Sequence, residues 1–280
     1  MSSKFSKDQI VARLGAERSA SKVIFDALCG SGITAKLASQ GGADLVTTFN
    51  LAHYRMQGLS SMAGYLPIGD ANATTLELGE RFILNVVKEC PVVAGVLGVD
   101  PTRDMCRFVD RLKDAGFHGV MNCPTVALID GNYRTTLEET GMGFSLEVDV
   151  LKYASQIGMF TKAFCTTPEE ALSMAEAGVN NIIIHFGNSS GGTTGSKTVM
   201  DIDESAQLAA TIFDVLSPKY ANLFYTCHGG SIEDAAGVES LLVREPRFDG
   251  YVGGSSVERL PVENSVLSAV ESFKSLRLKR

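Results

Sequence analysis

Eight short, nearly continuous apolar runs recur along the chain, separated by longer stretches with helical spacing. The runs occupy residues 23–28, 44–49, 92–99, 119–123, 160–165, 181–186, 222–227 and 249–254. Continuous apolar character is typical of parallel strands that are covered on both faces. Strands alternating with helices over 280 residues predict an α/β fold, a single (β/α)₈ TIM barrel. An open doubly wound sheet is the alternative that the strand pattern leaves open.

Helix signals lie between the runs. A helix is predicted after the Thr167 cap, beginning at Pro168 and ending before Gly178. Further helices are predicted over 102–115 and 147–157, each followed by a glycine. Residues 6–15 predict an extra N-terminal helix, within an N-terminal extension over 1–20, that covers the bottom of the barrel. No proline- or serine-rich linker divides the sequence, so we expect one domain over 1–280.

The composition excludes several classes of partner. Hydrophobic residues make up 45% and charged residues 20%, which is ordinary for a globular chain. A net charge of −7 argues against nucleic acid and against attraction to membranes. No run approaches the ~20 apolar residues of a membrane span, and residues 1–8 lack the apolar run of a signal peptide. Six scattered cysteines without a CxxC pair suit reduced thiols, which predicts a cytoplasmic location. A mean hydropathy of +0.10 leaves apolar surface to cover, so we expect a homo-oligomer.

Three of the four histidines follow predicted strands. Catalytic groups of a TIM barrel lie on the loops at the C-terminal ends of its strands. His185 and His228 end the sixth and seventh runs, and His53 comes just after the second. His118 precedes a strand and falls at the opposite end. We therefore predict His185, His228 and His53 as catalytic candidates, with a purely structural histidine as the alternative for each.

The loops after the seventh and eighth runs are rich in glycine and serine. In this fold they form a recurrent anion site, where backbone N–H groups and a helix N-terminus face the ligand. The predicted anion-binding residues here are Gly229, Gly230, Gly254, Ser255, Ser256 and Arg259. Tight turns without a ligand, and an exposed salt bridge at Arg259, are the alternatives.

Three further loops carry candidate residues. After the second strand, Arg55 could hold a substrate carboxylate beside Tyr54, for which a structural role is the alternative. After the fourth strand, a long loop begins at Asn122, a candidate substrate-binding residue, and leads to Glu138, a candidate general acid or base. After the sixth strand, residues 187–196 are small and polar, which suits a mobile lid or a plain connection.

Cofactor motifs are weak. The segment at 29–32 is half of a dinucleotide fingerprint, so no nucleotide cofactor is expected. HExxH, HxH and GxSxG motifs do not occur. Ligands converging from separate loops could still hold a divalent ion such as Mg²⁺ or Zn²⁺.

Together these motifs resemble the phosphoenolpyruvate hydrolase-like TIM-barrel family, over essentially the whole chain. The resemblance rests on Tyr54-Arg55-Met56 with Ala63-Gly64, Pro124-Thr125 through Asp130-Gly131, Leu137-Glu138-Glu139-Thr140-Gly141-Met142, His185 with Gly191-Gly192, His228-Gly229-Gly230, and Ser255-Ser256 with Glu258-Arg259-Leu260-Pro261. It implies hydrolysis of a phospho- or phosphonopyruvate-like compound. Phosphonopyruvate hydrolases of the isocitrate lyase superfamily hold Mg²⁺ with an acidic cluster, and we find no matching aspartate pair.

Our leading hypothesis is a hydrolase or lyase that cleaves a C–C or C–P bond next to a carbonyl. The substrate would be a small anion, phosphonopyruvate-like or a diketone. His185 and His228 would be the base and the electrophile, Glu138 the acid, and the loops at 228–231 and 253–256 the anchor. A Schiff base at Lys162 is less favoured than a salt bridge of that lysine at the barrel rim. The alternative function is a regulatory barrel that senses a small anion without chemistry.

Overall fold

The computed structural model describes residues 5–278 as a closed barrel of eight parallel strands. The strands are β1 Ile24–Leu28, β2 Leu45–Thr48, β3 Val92–Val96, β4 Gly119–Asn122, β5 Phe160–Cys165, β6 Asn181–His185, β7 Phe224–His228 and β8 Gly250–Gly253. Each strand lies within one of the predicted apolar runs or shares most of its residues with it. The strands pair in sequence order and β8 closes on β1, with Ile24 opposite Gly250. The TIM barrel is confirmed, and the open sheet is excluded because neither β1 nor β8 is left as an edge.

Helices cover the outside of the barrel and the connections. They are α1 Lys7–Ser19, α2 Gly32–Gln40, α3 Asn50–Met56, α4 Ala71–Leu78, α5 Leu84–Val86, α6 Met105–Ala115, α7 Gly131–Glu139, α8 Phe144–Gln156, α9 Pro168–Glu176, α10 Ile202–Leu216, α11 Ala235–Arg244 and α12 Arg259–Ser275. The predicted N-terminal helix is α1. A capping box between Ser6 and Gln9 stabilises its N-terminus. Residues 1–4 of the predicted extension lie outside the described residues. None of the helices within residues 5–278 has the length and apolar character needed to span a membrane.

Helix boundaries differ from the sequence predictions where a cap decides them. Helix α6 begins at Met105 rather than at 102, because the side chain of Asp104 accepts from the amide of Arg107. Two segments that we predicted as loops are helical, α3 after β2 and α7 after β4. In α3 the residues Leu51, Ala52 and Arg55 are buried, so one helical face packs onto the barrel.

The interior of the barrel contains a charged pair. Lys162 on β5 is fully buried and forms a salt bridge with Asp26 on β1, and its Nζ donates to Thr47 Oγ1 at 2.7 Å. Burial lowers the pKa of Lys162 well below its usual range. Lys162 does form the expected salt bridge, but the predicted position at the rim is wrong because the pair lies inside the barrel. Alternate residues of each strand point inward, and Lys162 has the same parity on β5 as Phe160 and Phe164.

The last helix covers little of the barrel. Arg259 is the only buried residue of α12 within the described chain, and residues 264–278 are exposed throughout. An apolar groove of about 540 Å³ lies between α11 and the start of α12, and a second of about 670 Å³ lies between α2 and α12. Phe25 and Val257 line both grooves. On the outer face of the barrel, Phe25 of β1 is thus partly exposed, whereas Tyr251 of β8 is buried.

Candidate active site

A cavity of about 230 Å³ opens at the C-terminal ends of the strands. Its polar lining residues are Arg55, Ser61, His185, Asn188, Ser189, His228 and Ser255, and the others are Leu28, Phe49, Leu51, Met62, Cys123, Leu128, Phe164 and Gly187. Four of the predicted site residues, namely Arg55, His185, His228 and Ser255, therefore meet in one place. They come from α3, β6, β7 and the loop after β8, so only closure of the barrel brings them together.

The two cavity histidines have opposite hydrogen-bonding roles. His228 Nδ1 lies 2.6 Å from the carbonyl oxygen of Val252, which can only accept, so this nitrogen carries the proton. His185 Nδ1 accepts from the amide of Gly187 at 3.0 Å, so in the neutral ring the proton is on Nε2. Neither Nε2 makes a hydrogen bond within residues 5–278. His228 thus has a free lone pair, and His185 has a free N–H donor.

Burial keeps both rings neutral. Burial lowers the pKa of His228 to about 4, although its hydrogen bond to Val252 favours the charged form. Burial and the neighbouring His228 lower the pKa of His185 well below its usual range. The two ring centroids are 4.9 Å apart, and Phe164 packs edge-on against His185 at 4.6 Å. At pH 7 the neutral His228 therefore offers its Nε2 lone pair as an acceptor, and the neutral His185 offers its Nε2–H as a donor.

Arg55 is fixed by a buried carboxylate. Its Nε and Nη2 donate to Glu258 Oε2 at 3.1 and 2.6 Å, and Nη2 also donates to the carbonyl oxygen of Leu28 at 2.7 Å. Glu258 is fully buried and also accepts from the Gly30 amide at 2.7 Å and from the Thr34 hydroxyl. Within the described chain, Arg55 Nη1 makes no hydrogen bond, so a preorganised N–H donor pair remains for a ligand.

The loop after β8 adds donors beside Arg55. No other described residue hydrogen-bonds to the amide or hydroxyl of Ser255, whose carbonyl accepts from Leu260. A Cβ on Gly254 would lie 3.2 Å from His228 Cε1 and 3.3 Å from Arg55 Nη1. Glycine at this position therefore leaves room between the two side chains. Gly229 has a φ of +90° and packs against the carbonyl of Gly187, so it shapes the cavity wall rather than the anion site.

The loop after β6 is anchored from outside the cavity. Arg259 Nη2 donates to the carbonyl of Gly191 at 2.9 Å, and Thr193 Oγ1 donates to Glu263 Oε1 at 2.5 Å. Asn188 and Ser189, at the other end of the loop, line the cavity. Arg259 is buried and does not line the cavity, so its charge positions this loop instead of meeting a ligand.

Several predicted site residues lie elsewhere. Glu138 lies in a separate surface groove, where its carboxylate accepts from Arg134 Nε at 2.7 Å and from the amide of Phe144. His53 and Tyr54 lie on α3 outside the cavity lining, and Tyr54 packs towards Gly69. The structure thus brings none of these three to the paired histidines.

The remaining predicted residues form hydrogen bonds within the protein and do not line the cavity. Asn122 Oδ1 accepts from the amide of Phe164 at 2.7 Å, and its Nδ2 donates to Glu147 Oε2 at 2.8 Å. Gly230 accepts from the amide of Ser190 through its carbonyl. Ser256 pairs with the hydroxyl of Tyr251 and lines the outer groove beside α11.

Sequence reasoning missed the groups that hold these residues. Glu147 is fully buried on α8 and accepts hydrogen bonds from Val126, Thr125 and Asn122 at 2.7 to 2.8 Å. Burial raises the pKa of Glu147 to about 7, against those hydrogen bonds. Phe164 could have been found from the inward alternation of β5, whereas nothing local to Glu147 or Glu258 marks either residue as buried.

The donor set of the cavity does not fit the divalent ions that the sequence left open. None of its described lining residues is Asp or Glu, and Mg²⁺ requires oxygen ligands that usually include carboxylates. Zn²⁺ sites use three or more protein ligands, and no group of three His, Cys, Asp or Glu residues within the described chain could hold an ion.

Asp100, after β3, is engaged by Thr102, Asn72 and Arg103. Although burial opposes its ionisation, the hydrogen bonds lower the pKa of Asp100 to about 2.

Comparison with solved structures agrees with the barrel. Oxaloacetate acetylhydrolase in complex with oxalate superposes with a TM-score of 0.61 at 11% identity, over 97% of this chain and 89% of that chain. Phosphonopyruvate hydrolase in complex with oxalate and Mg²⁺ gives a TM-score of 0.58 at 12% identity, over 96% of this chain and 89% of that one. At these identities the likeness concerns the fold alone.

Sequence comparison is more specific. The chain is 41% identical over 269 residues to the ToMV resistance protein Tm-1(GCR237) of Solanum lycopersicum. The match covers 96% of this chain but 36% of that protein, so the chain spans about a third of the relative's length. Residues 9–276 match the family described as phosphoenolpyruvate hydrolase-like. The predicted resemblance is confirmed, and the chain belongs to the phosphoenolpyruvate hydrolase-like family.

Proposed function

We propose that the barrel is a hydrolase or lyase that cleaves a C–C or C–P bond next to a carbonyl in a small anion. The observation that carries this proposal is the pair of neutral histidines that line the same cavity as Arg55. His228 has a free lone pair and His185 has a free N–H. Membership of a hydrolase-like family supports the same class of reaction. Oxalate in the solved structures named above supports a small anionic ligand for barrels of this shape.

Each cavity group has one task in this reaction. Arg55 Nη1 and the Ser255 amide bind the substrate carboxylate at the side of β8 and β1. His185 Nε2–H donates to the carbonyl oxygen and stabilises the negative charge that develops there. His228 Nε2 takes a proton from water or from the substrate and returns it to the leaving carbon or oxygen. Glu138 has no task, because it lies in the groove beside Arg134.

The test is a turnover assay on a panel of phosphoenolpyruvate, phosphonopyruvate, and 2-oxo and 2,4-dioxo carboxylates, followed by mass spectrometry. We expect at least one compound to be consumed, with His228→Gln lowering kcat by at least ~100-fold, the usual range for general-base loss. The matched control is His118→Gln, because His118 accepts from the Val92 amide at the opposite end of the barrel. Binding of panel compounds with no turnover would contradict the proposal and favour the anion-sensing alternative.

We also propose that the protein is a homo-oligomer in which α12 packs onto a second copy. Val262, Val266, Val270 and Phe273 form one stripe on α12, spaced three to four residues apart, and each is exposed. Apolar grooves lie on either side of Val257, one beside α11 and one between α2 and α12. A second copy supplies a helix of matching length and apolar character, which makes it the occupant that we favour.

A cytoplasmic location is part of the same proposal. All six cysteines are free and five of them are buried, which suits a reducing compartment.

A further inference from the structure

The cavity provides almost no net positive charge. Arg55 is the one charged side chain among the described residues that line it. Its charge is balanced by the fully buried Glu258, with which it shares two hydrogen bonds. Deeper in the barrel, Lys162 is balanced by Asp26 in the same way. The two histidines are neutral. Arg55 and Ser255 therefore offer a ligand oriented hydrogen-bond donors, but the cavity has no positive charge that is not already balanced.

This charge balance discriminates among anions. A phosphonate or phosphate group adds about two negative charges to the one of the carboxylate, and a buried site must compensate each of them. Among the described residues, the cavity lining has neither a second cation nor carboxylates to hold a bridging Mg²⁺. One carboxylate, by contrast, can accept from Arg55 Nη1 and from the amide and hydroxyl of Ser255.

Apart from Ser61, Asn188 and Ser189, the remaining wall is apolar. Leu28, Phe49, Leu51, Met62, Cys123, Leu128 and Phe164 have no polar group suited to phosphonate oxygens. They can bury an alkyl group instead, and each buried methylene tightens binding by about fourfold. A volume of about 230 Å³ limits the ligand to a small molecule.

We propose that the substrate is a 2,4-dioxo carboxylate with an apolar acyl group, an acylpyruvate, and that the cavity hydrolyses its C–C bond. This inference rests on the proposed function and names the substrate class of that site. The carboxylate lies at Arg55 and Ser255, and the acyl chain lies against Leu128, Met62 and Phe164. The second carbonyl is required because the C–C bond can break only if the leaving carbon is stabilised as an enolate.

The reaction is balanced with water as the only co-reactant. His228 Nε2 takes a proton from water while the water oxygen bonds to the distal carbonyl carbon. His185 Nε2–H donates to the oxyanion that forms there. The bond from that carbon to the methylene breaks, its electron pair forms the enolate of pyruvate, and protonated His228 returns the proton to the methylene carbon. The products are a carboxylic acid with the apolar chain, which ionises, and pyruvate.

The test uses the full chain with acetyl-, butanoyl- and hexanoylpyruvate beside phosphonopyruvate and phosphoenolpyruvate, each in EDTA and in Mg²⁺. We expect turnover of the acylpyruvates in EDTA, with kcat/KM rising about fourfold per methylene until the cavity is full. Leu128→Ser should lower the advantage of hexanoyl over acetyl by at least ~3-fold, whereas the matched control Leu128→Met should keep it. Thermal unfolding of both variants checks the fold.

The outcomes separate this inference from the proposed function. Turnover of phosphonopyruvate or phosphoenolpyruvate but not of acylpyruvates, lost in His228→Gln, would overturn the substrate class and leave the proposed function standing. Equal kcat/KM along the acyl series would also overturn it. Consumption of none of these compounds would overturn the substrate class, and no turnover of the other 2-oxo carboxylates either would overturn the proposed function as well.

Discussion

The pairing of Arg55 with Glu258 should dominate the stability of the cavity. Glu258 accepts from Arg55 Nε and Nη2, from the Gly30 amide and from the Thr34 hydroxyl, and no part of it reaches solvent. Glu258→Gln keeps the shape but leaves the guanidinium without a counter-charge and turns an N–H towards its donors. Breaking one member of a buried pair costs about 3–5 kcal/mol. At roughly 2–4 °C per kcal/mol, the melting temperature should fall by about 10 °C.

The assay is urea unfolding followed by circular dichroism, since the chain has no tryptophan. The matched control is Glu77→Gln, because Glu77 pairs with Arg81 on an exposed helical face and should cost less than about 0.5 kcal/mol. In the double variant Arg55→Met with Glu258→Gln, neither charge remains. We expect it to cost at least about 2 kcal/mol less than the sum of the single variants. Additive costs, or a loss below about 1 kcal/mol for Glu258→Gln alone, would refute this reasoning.

Three further predictions concern the cavity and the last helix. The native state keeps His228 neutral down to about pH 4, whereas an unfolded histidine takes up a proton near pH 6.5, so stability should fall as the pH drops through this interval. The free energy of unfolding measured by urea titration should fall by about 2–3 kcal/mol over this interval. If the free energy of unfolding of His228→Gln had the same dependence on pH, the prediction would be contradicted. Gly254→Ala places a Cβ 3.3 Å from Arg55 Nη1. This substitution should lower kcat/KM at least ~10-fold and leave the melting temperature nearly unchanged. The control is Gly15→Ala, because open space surrounds Gly15. Val266→Asp with Phe273→Glu should convert the oligomer to a monomer in light scattering, and a monomeric parent chain would contradict the role of α12.

The hydrophobic pattern was sufficient for the barrel because each strand is buried on both faces. A run such as 181–186 contains enough apolar residues to be recognised without knowing its neighbours, and the glycines after the helices mark where each unit ends. The rule that function follows the C-terminal ends of strands then placed His185, His228, Arg55 and Ser255 correctly on the cavity side. These features depend on local sequence and on one general property of the fold.

Tertiary contacts alone decided which polar residues face the cavity. Glu138 is close in sequence to buried Leu137 but turns to Arg134, while Glu147, nine residues later, enters the core with three donors. Arg55 becomes a fixed anchor only because Glu258 reaches it from 203 residues away. The roles of the histidines follow from the carbonyl of Val252 and the amide of Gly187, since a backbone oxygen can only accept and a backbone N–H can only donate. The sequence alone determined the barrel and the end of it at which the cavity opens, whereas burial and hydrogen bonds between distant segments decided the charge and the proton positions within that cavity.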